Sequence, residues 1–288
     1  LHHALNIVFL NNNKQKSAKP KGVDMSDTWE IYALRYAGMK NRTRRESFLF
    51  ADDHAAPYPI DYYVWVLKNG EKTILVDTGF DAEEGKLRNR PLLQTPVEML
   101  ADFGLPAETI DTVIVTHMHY DHAGSLHEFR SSKLYVQPAE LEYVTGPCMC
   151  HDVLRHPYSG EHVVEMVRSL YQGNVVFCEG SREIAPGVEV HLIGGHTRGQ
   201  QCVRVRTRRG WVVLASDSSH FYENYRTGKP FPIVVDMEAT LRGYDRLRAL
   251  ADSDDHIIPG HDPLTRAWYP IIDGGSENIV QLHADPKL

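Results

Sequence analysis

The segment Thr116-His117-Met118-His119-Tyr120-Asp121-His122-Ala123-Gly124 carries three imidazoles and a carboxylate within a six-residue stretch. Imidazole and carboxylate donors without thiolate suit zinc, with iron or manganese as alternatives. Directly before it runs Thr112-Val113-Ile114-Val115-Thr116, a continuous β-branched segment of the kind buried on both faces of a sheet. A strand that stops at a His-rich turn places its ligands at the carboxyl end of a sheet. Alternation along the turn lets His117 and His119 point the same way, while Asp121 and His122 turn to a neighbouring position.

Later residues of the same chemistry also follow strand-like runs. His196 sits in Gly194-Gly195-His196-Thr197-Arg198-Gly199, just after a strand predicted over Val188–Leu192. Asp217 follows a strand over Trp211–Ala215, and His261 follows His256-Ile257-Ile258 in Pro259-Gly260-His261-Asp262. Each would be an ordinary loop residue if read singly. Taken with the His-rich turn, they predict a metal site assembled from strand ends, with room for two ions.

The elements that must position these residues follow from periodicity. Further strands are predicted over Ile31–Tyr36, Tyr62–Leu67, Thr73–Val76 (ending at Asp77-Thr78-Gly79), Lys133–Val136, Asn174–Phe177 and Cys202–Val205. Pro96–Phe103 reads as a helix, with Thr95 as N-cap, proline at its first position and Gly104 closing it. Pro138–Tyr143 and Glu161–Tyr171 also read as helices, with a loop or lid over residues 144–160 between them. Glu238–Ala251 is the clearest amphipathic helix, with Leu241, Tyr244, Leu247 and Leu250 predicted to face the core. No fixed-period repeat is present. Strands in two blocks with helices beside each predict two sheets packed together, helices outside.

Composition bounds the class. The chain has 288 residues, 42% hydrophobic and 24% charged, which is ordinary for a globular protein. No apolar run approaches the roughly 20 residues a membrane span needs, so no membrane partner is expected. Residues 1–24 hold four lysines against one aspartate and are read as an expression tag and linker. Residues 25–288, opening at Met25, are read as a single domain. The net charge of −7 gains nothing from counterion release, so nucleic acid is not an expected partner. Cys148, Cys150, Cys178 and Cys202 form no standard zinc spacing and are read as free thiols. With no export signal read after Met25, they suggest the cytoplasm.

With these residues in place, the chain resembles the metallo-β-lactamase-fold hydrolase superfamily over about residues 29 to 265. His117, His119, Asp121 and His122 match its His-x-His-x-Asp-His motif, and His196, Asp217 and His261 match its later ligand positions. The resemblance implies an αββα sandwich of two similar αβ halves, with two divalent metal ions, zinc by preference, at one edge. It also implies that His117, His119 and His196 hold one ion and Asp121, His122 and His261 the other. Asp217 would bridge the two, and Asp77 would orient the ligand turn. The chemistry is then hydrolysis by a hydroxide shared between two cations, with Asp121 passing a proton to the leaving oxygen.

The likeness is greatest to the N-acyl-homoserine lactonases and the similar 4-pyridoxolactonase, which implies a small-molecule lactone as substrate. Thioesterase, phosphodiesterase and β-lactamase-like activities, or a metal-binding sensor, are the alternatives. Those lactonases commonly place a tyrosine three residues after the bridging aspartate, where it assists the substrate carbonyl. This chain has His220 there, in Asp217-Ser218-Ser219-His220-Phe221-Tyr222, so His220 or a folded-back Tyr222 is the candidate replacement. Gln200 stands where the family often has histidine. An apolar acyl pocket is sought in Phe48, Leu49, Phe50, Tyr58 and Pro59, and in Met149, Leu154 and Tyr158. The same residues could instead be core or contacts of a homodimer.

Overall fold

A computed structural model of the chain describes residues 27–50, 53–272 and 274–287. The tag and linker read over residues 1–24, and the Met25 start, lie outside the described residues.

Among the described residues, twelve strands form two sheets: β1 (Glu30–Met39), β2 (Ile60–Asn69), β3 (Lys72–Val76), β4 (Thr112–Ile114), β5 (Lys133–Val136), β6 (Val175–Phe177), β7 (Ser181–Ala185), β8 (Val188–Leu192), β9 (Gln201–Thr207), β10 (Gly210–Ser216), β11 (Ile257–Pro259) and β12 (Ile279–Gln281). The first sheet has the order β12-β1-β2-β3-β4-β5-β6 and the second β11-β10-β9-β8-β7. β12 pairs antiparallel with β1 and closes the outer edge of the first sheet.

Strand alternation accounts for the layers. Ile31 and Ala33 of β1, Tyr63, Trp65 and Leu67 of β2, Val203 and Val205 of β9, and Val212 and Leu214 of β10 share the core between the sheets. Their chain neighbours Leu34, Tyr62, Val64 and Val66 face outward beneath helices, in a cluster with Met99, Leu100, Leu141 and Met166. On the far side, Cys202, Val213 and Ala215 pack on Tyr244 and Leu247. The result is helix, sheet, sheet, helix, with each fully buried Val, Leu or Phe contributing about 1.5–3 kcal/mol.

Some expectations are refined. The helix Pro96–Asp102 has Thr95 as its cap, its side chain accepting from Glu98 N. The helix Met237–Leu250 buries Thr240, Gly243, Tyr244 and Leu247, whereas Leu241 is 41% exposed. A spacing of three residues at 3.6 per turn drifts around the helix, and it carries Leu241 off the buried stripe. The segment 144–160 is not a bare loop: it holds short helical turns at Pro147–Cys150 and Asp152–Arg155. Cys148 and Cys150 lie in the first of these, and all four cysteines are unpaired.

Strand direction brings the candidate ligand segments to one edge. β3 and β4 run parallel, as do β10 and β11. β8 and β10 are both antiparallel to β9 and so parallel to each other. The segments that leave the carboxyl ends of these strands therefore emerge together, and they carry Asp77, the His-rich turn, His196, Asp217 and His261.

Candidate metal centre

Two strand ends are bent sharply to present the site. Asp77 and Ser216 each occupy the left-handed region, at φ 61° and 47°, although neither is glycine. Thr116 holds both turns: its N–H and hydroxyl donate to Asp77 Oδ1 and Oδ2 at 2.7 Å each, and its Oγ1 lies 2.9 Å from Ser216 Oγ. Thr116 thus ties the carboxyl edges of the two sheets together beside the ligands.

The ligand atoms of His117, His119, His196 and Asp217 lie within 4.8 Å of one another, and so do those of Asp121, His122 and His261. Asp217 stands between the groups. Its Oδ2 is 3.2 Å from His196 Nε2 and 3.7 Å from His117 Nε2; its Oδ1 is 2.9 Å from His261 Nε2 and 3.2 Å from His122 Nε2. His119 joins through Nδ1, which is 2.9 Å from His196 Nε2.

The other nitrogen of several rings is anchored, which leaves the inward nitrogen free to ligate. His122 Nδ1 is 2.7 Å from Asp77 Oδ2, His196 Nδ1 is 2.7 Å from Ile233 O, and His261 Nδ1 is 2.9 Å from Asp61 O. Metal-binding histidines commonly donate their other ring N–H to acceptors placed like these, which leaves Nε2 as the nitrogen to meet a cation. Among the described residues, His117 Nε2, His122 Nε2 and Asp217 Oδ1 are buried and, although they lie close to one another's groups, none makes a hydrogen bond of good geometry. Each such orphan costs about 1–3 kcal/mol unless something binds it. The donor set and its orphaned atoms fit divalent cations.

Burial holds His117 and His119 well below the usual histidine range, so both are neutral donors. Burial alone would raise Asp217, but the surrounding His220, His261 and His122 keep it well below the usual carboxylate range. His220 belongs to this cluster too. Its Nε2 is 2.9 Å from Asp217 Oδ2, and its ring lies flat on Phe231 at 3.6 Å. Burial pushes its imidazole down to about 3 against the opposing charge of Asp217.

Glu140 was not singled out in the sequence, yet it joins the two ligand loops. Its fully buried carboxylate accepts from Met118 N at 2.8 Å, Thr197 Oγ1 at 2.6 Å and Gly199 N at 3.0 Å. Gly199 is required there because a Cβ would collide with the Glu140 backbone. A lone glutamate in a seven-residue helix carries no spacing signal.

A cavity of about 520 Å³ opens onto Asp121, Asp217, His119, His196, His220 and His261. Its apolar wall comes from Ile60, Tyr62, Leu87, Pro157, Phe231 and Ile233. Phe48, Leu49, Phe50, Tyr58, Pro59, Met149, Leu154 and Tyr158 do not line it: Phe48 and Tyr58 pack with Phe221, Phe50 is exposed, and Tyr158 backs His119. Tyr222 does not fold back toward it either. Its ring is buried 4.5 Å from Trp268, in the cluster beneath the second sheet's helix.

This fold and donor set define a metal-binding αββα hydrolase. The metallo-β-lactamase superfamily model matches residues 58–261, and the chain belongs to that superfamily. Among curated relatives, an N-acyl homoserine lactonase of Bacillus sp is 30% identical over 223 residues, covering 70% of this chain and 82% of the relative. N-acyl homoserine lactonase AiiB of Agrobacterium fabrum is 28% identical over 230 residues, covering 71% and 79%. A solved quorum-quenching N-acyl homoserine lactone lactonase superposes with a TM-score of 0.69 at 24% identity, over 82% of this chain and 93% of that one, which supports the fold.

Proposed function

We propose that the protein is a dinuclear metal-dependent lactonase that opens the ring of an N-acyl-homoserine lactone or a similar cyclic ester. The observation that carries this reading is the division of the Asp217 oxygens, one toward His117 and His196 and the other toward His122 and His261. A carboxylate so placed offsets the repulsion between two cations. His117, His119 and His196 would hold one and Asp121, His122 and His261 the other, with zinc favoured by the imidazole-rich set. Bound there, the cations supply a nucleophile from water near neutral pH and draw charge from the substrate's carbonyl oxygen.

The chain's own groups do the rest. Asp121 lies at the cavity margin, its Oδ2 3.7 Å from His261 Nε2, and can pass a proton to the departing ring oxygen. His220, fixed in plane by Phe231, lines the same cavity and is assigned the hydrogen bond to the substrate carbonyl that a tyrosine commonly provides in lactonases. The lactonase relatives support a lactone over other acyl substrates. Four unpaired thiols support a reducing compartment, and we place the protein in the cytoplasm. The test is a substrate panel on zinc-loaded protein. Ring opening of γ-lactones is expected; efficient cleavage of phosphodiesters, thioesters or β-lactams with no lactone opened would overturn the reading.

A further inference from the structure

The protein carries a net charge of −7, yet three arginines line its cavity. Beyond the ligand carboxylates Asp121 and Asp217, the lining has no acidic residue among those described, and it includes Arg42, Arg88 and Arg90. These arginines are not equivalent. Arg88 is committed to structure, with Nε on Glu84, Nη1 on His156 O at 2.7 Å and Nη2 on Tyr158 O at 2.9 Å. Arg42 is bound to Glu46, by an ion pair at 3.5 Å and a hydrogen bond to its carbonyl at 2.7 Å. Arg90 donates from Nε to Tyr120 Oη at 3.2 Å and from Nη1 to Arg88 O at 3.1 Å, and it has no ion pair among the described residues.

The segment carrying Arg90 is built rather than loose. Asn89 takes the left-handed conformation at φ 54°, and Arg90 N donates to Gly85 O at 2.7 Å. The guanidinium is thus held, half buried, beside Tyr120, the neighbour of the ligand Asp121. Five N–H donors less two leave Nη2 and one Nη1 hydrogen unsatisfied by protein.

We propose that the substrate carries a carboxylate remote from its scissile ester, and that Arg90 binds it. The class is an acyl lactone with an acidic acyl chain. An unpaired guanidinium presents the fork that carboxylates recognise, and a low-dielectric wall strengthens the pair. The scissile-ester half of this inference rests on the proposed lactonase activity; the anion-binding half does not.

The test compares N-hexanoyl-homoserine lactone with its N-adipoyl analogue, in which the terminal methyl is a carboxylate, on zinc-loaded wild-type protein. The expected kcat/KM is about 10-fold or more in favour of the adipoyl compound, the size of a charge-assisted hydrogen bond, and carried by KM. In Arg90→Gln that preference ratio should collapse toward one, and Arg90→Lys should recover part of it. Equal or better use of the hexanoyl compound by the wild type, or an unchanged ratio in Arg90→Gln, overturns the proposal. Calorimetry with adipate separates the two readings if neither lactone opens. Binding that weakens at least about 10-fold in Arg90→Gln then sustains the anion site while the lactonase reading fails. Binding that is absent, or unaffected by the substitution, overturns the site itself.

Discussion

Asp77 Oδ2 lies 2.7 Å from His122 Nδ1, and both side chains are fully buried. The aspartate belongs to no ligand group, yet it fixes the face that His122 turns to Asp217. Removing a partner of this kind typically costs about 10- to 100-fold in metal affinity. Asp77→Ala should therefore lose zinc to a competing chelator at correspondingly lower chelator concentration, while its far-ultraviolet circular dichroism stays close to wild type. Equal retention of zinc would remove the positioning role.

Glu140 satisfies donors from both ligand loops at once. Glu140→Ala leaves Met118 N, Thr197 Oγ1 and Gly199 N buried without their acceptor. The expected loss is about 3 kcal/mol or more in unfolding free energy. Glu140→Gln keeps an acceptor oxygen and should lose less. Urea titration of the two variants beside the wild type measures the difference, and equal midpoints for all three would contradict it.

Asp217→Asn removes the charge that faces both groups of histidines. The variant should bind one metal ion more weakly and lose at least about 10-fold in turnover. Elemental analysis after gel filtration, paired with steady-state kinetics, reads both effects. Full metal content with undiminished activity would exclude a bridging role.

His220→Phe deletes both ring nitrogens, the one beside Asp217 and its counterpart, but keeps an aromatic face against Phe231. Turnover should fall about 100-fold, the size of one lost transition-state hydrogen bond, with metal content retained. Tyr222→Phe should leave turnover near wild type, because that hydroxyl lies outside the cavity. A loss confined to Tyr222→Phe would reverse the assignment.

The strand ends were legible because each candidate ligand follows a hydrophobic run: Val188–Leu192 before His196, and Gly210–Ser216 before Asp217. Periodicity of two finds such runs, and donor types name the chemistry at their ends. What the sequence hid depends on tertiary proximity. Glu140 and Arg90 sit in short local contexts with no pattern, and they acquire meaning only where Gly199 or Tyr120 approaches. Residues 40–60 and 144–160 do reach the cavity, through Ile60 and Pro157 rather than through the larger apolar residues of those segments, and Phe231 and Ile233 add to the wall. Hydrophobicity alone does not distinguish a pocket-facing phenylalanine from Phe48, which is packed in the core. β12 was missed for a similar reason, since three residues pair with β1 only after the chain has returned.

If two cations between the sheets make this chain a lactone hydrolase, base uptake in a pH-stat on N-hexanoyl-homoserine lactone, with metal content determined on the same sample, reads it out. Ring opening should occur at two metal ions per chain, vanish on chelation and return with added zinc. A sample holding two ions per chain that opens no lactone, or lactone opening that survives complete removal of metal, would rule out a metal-dependent lactonase.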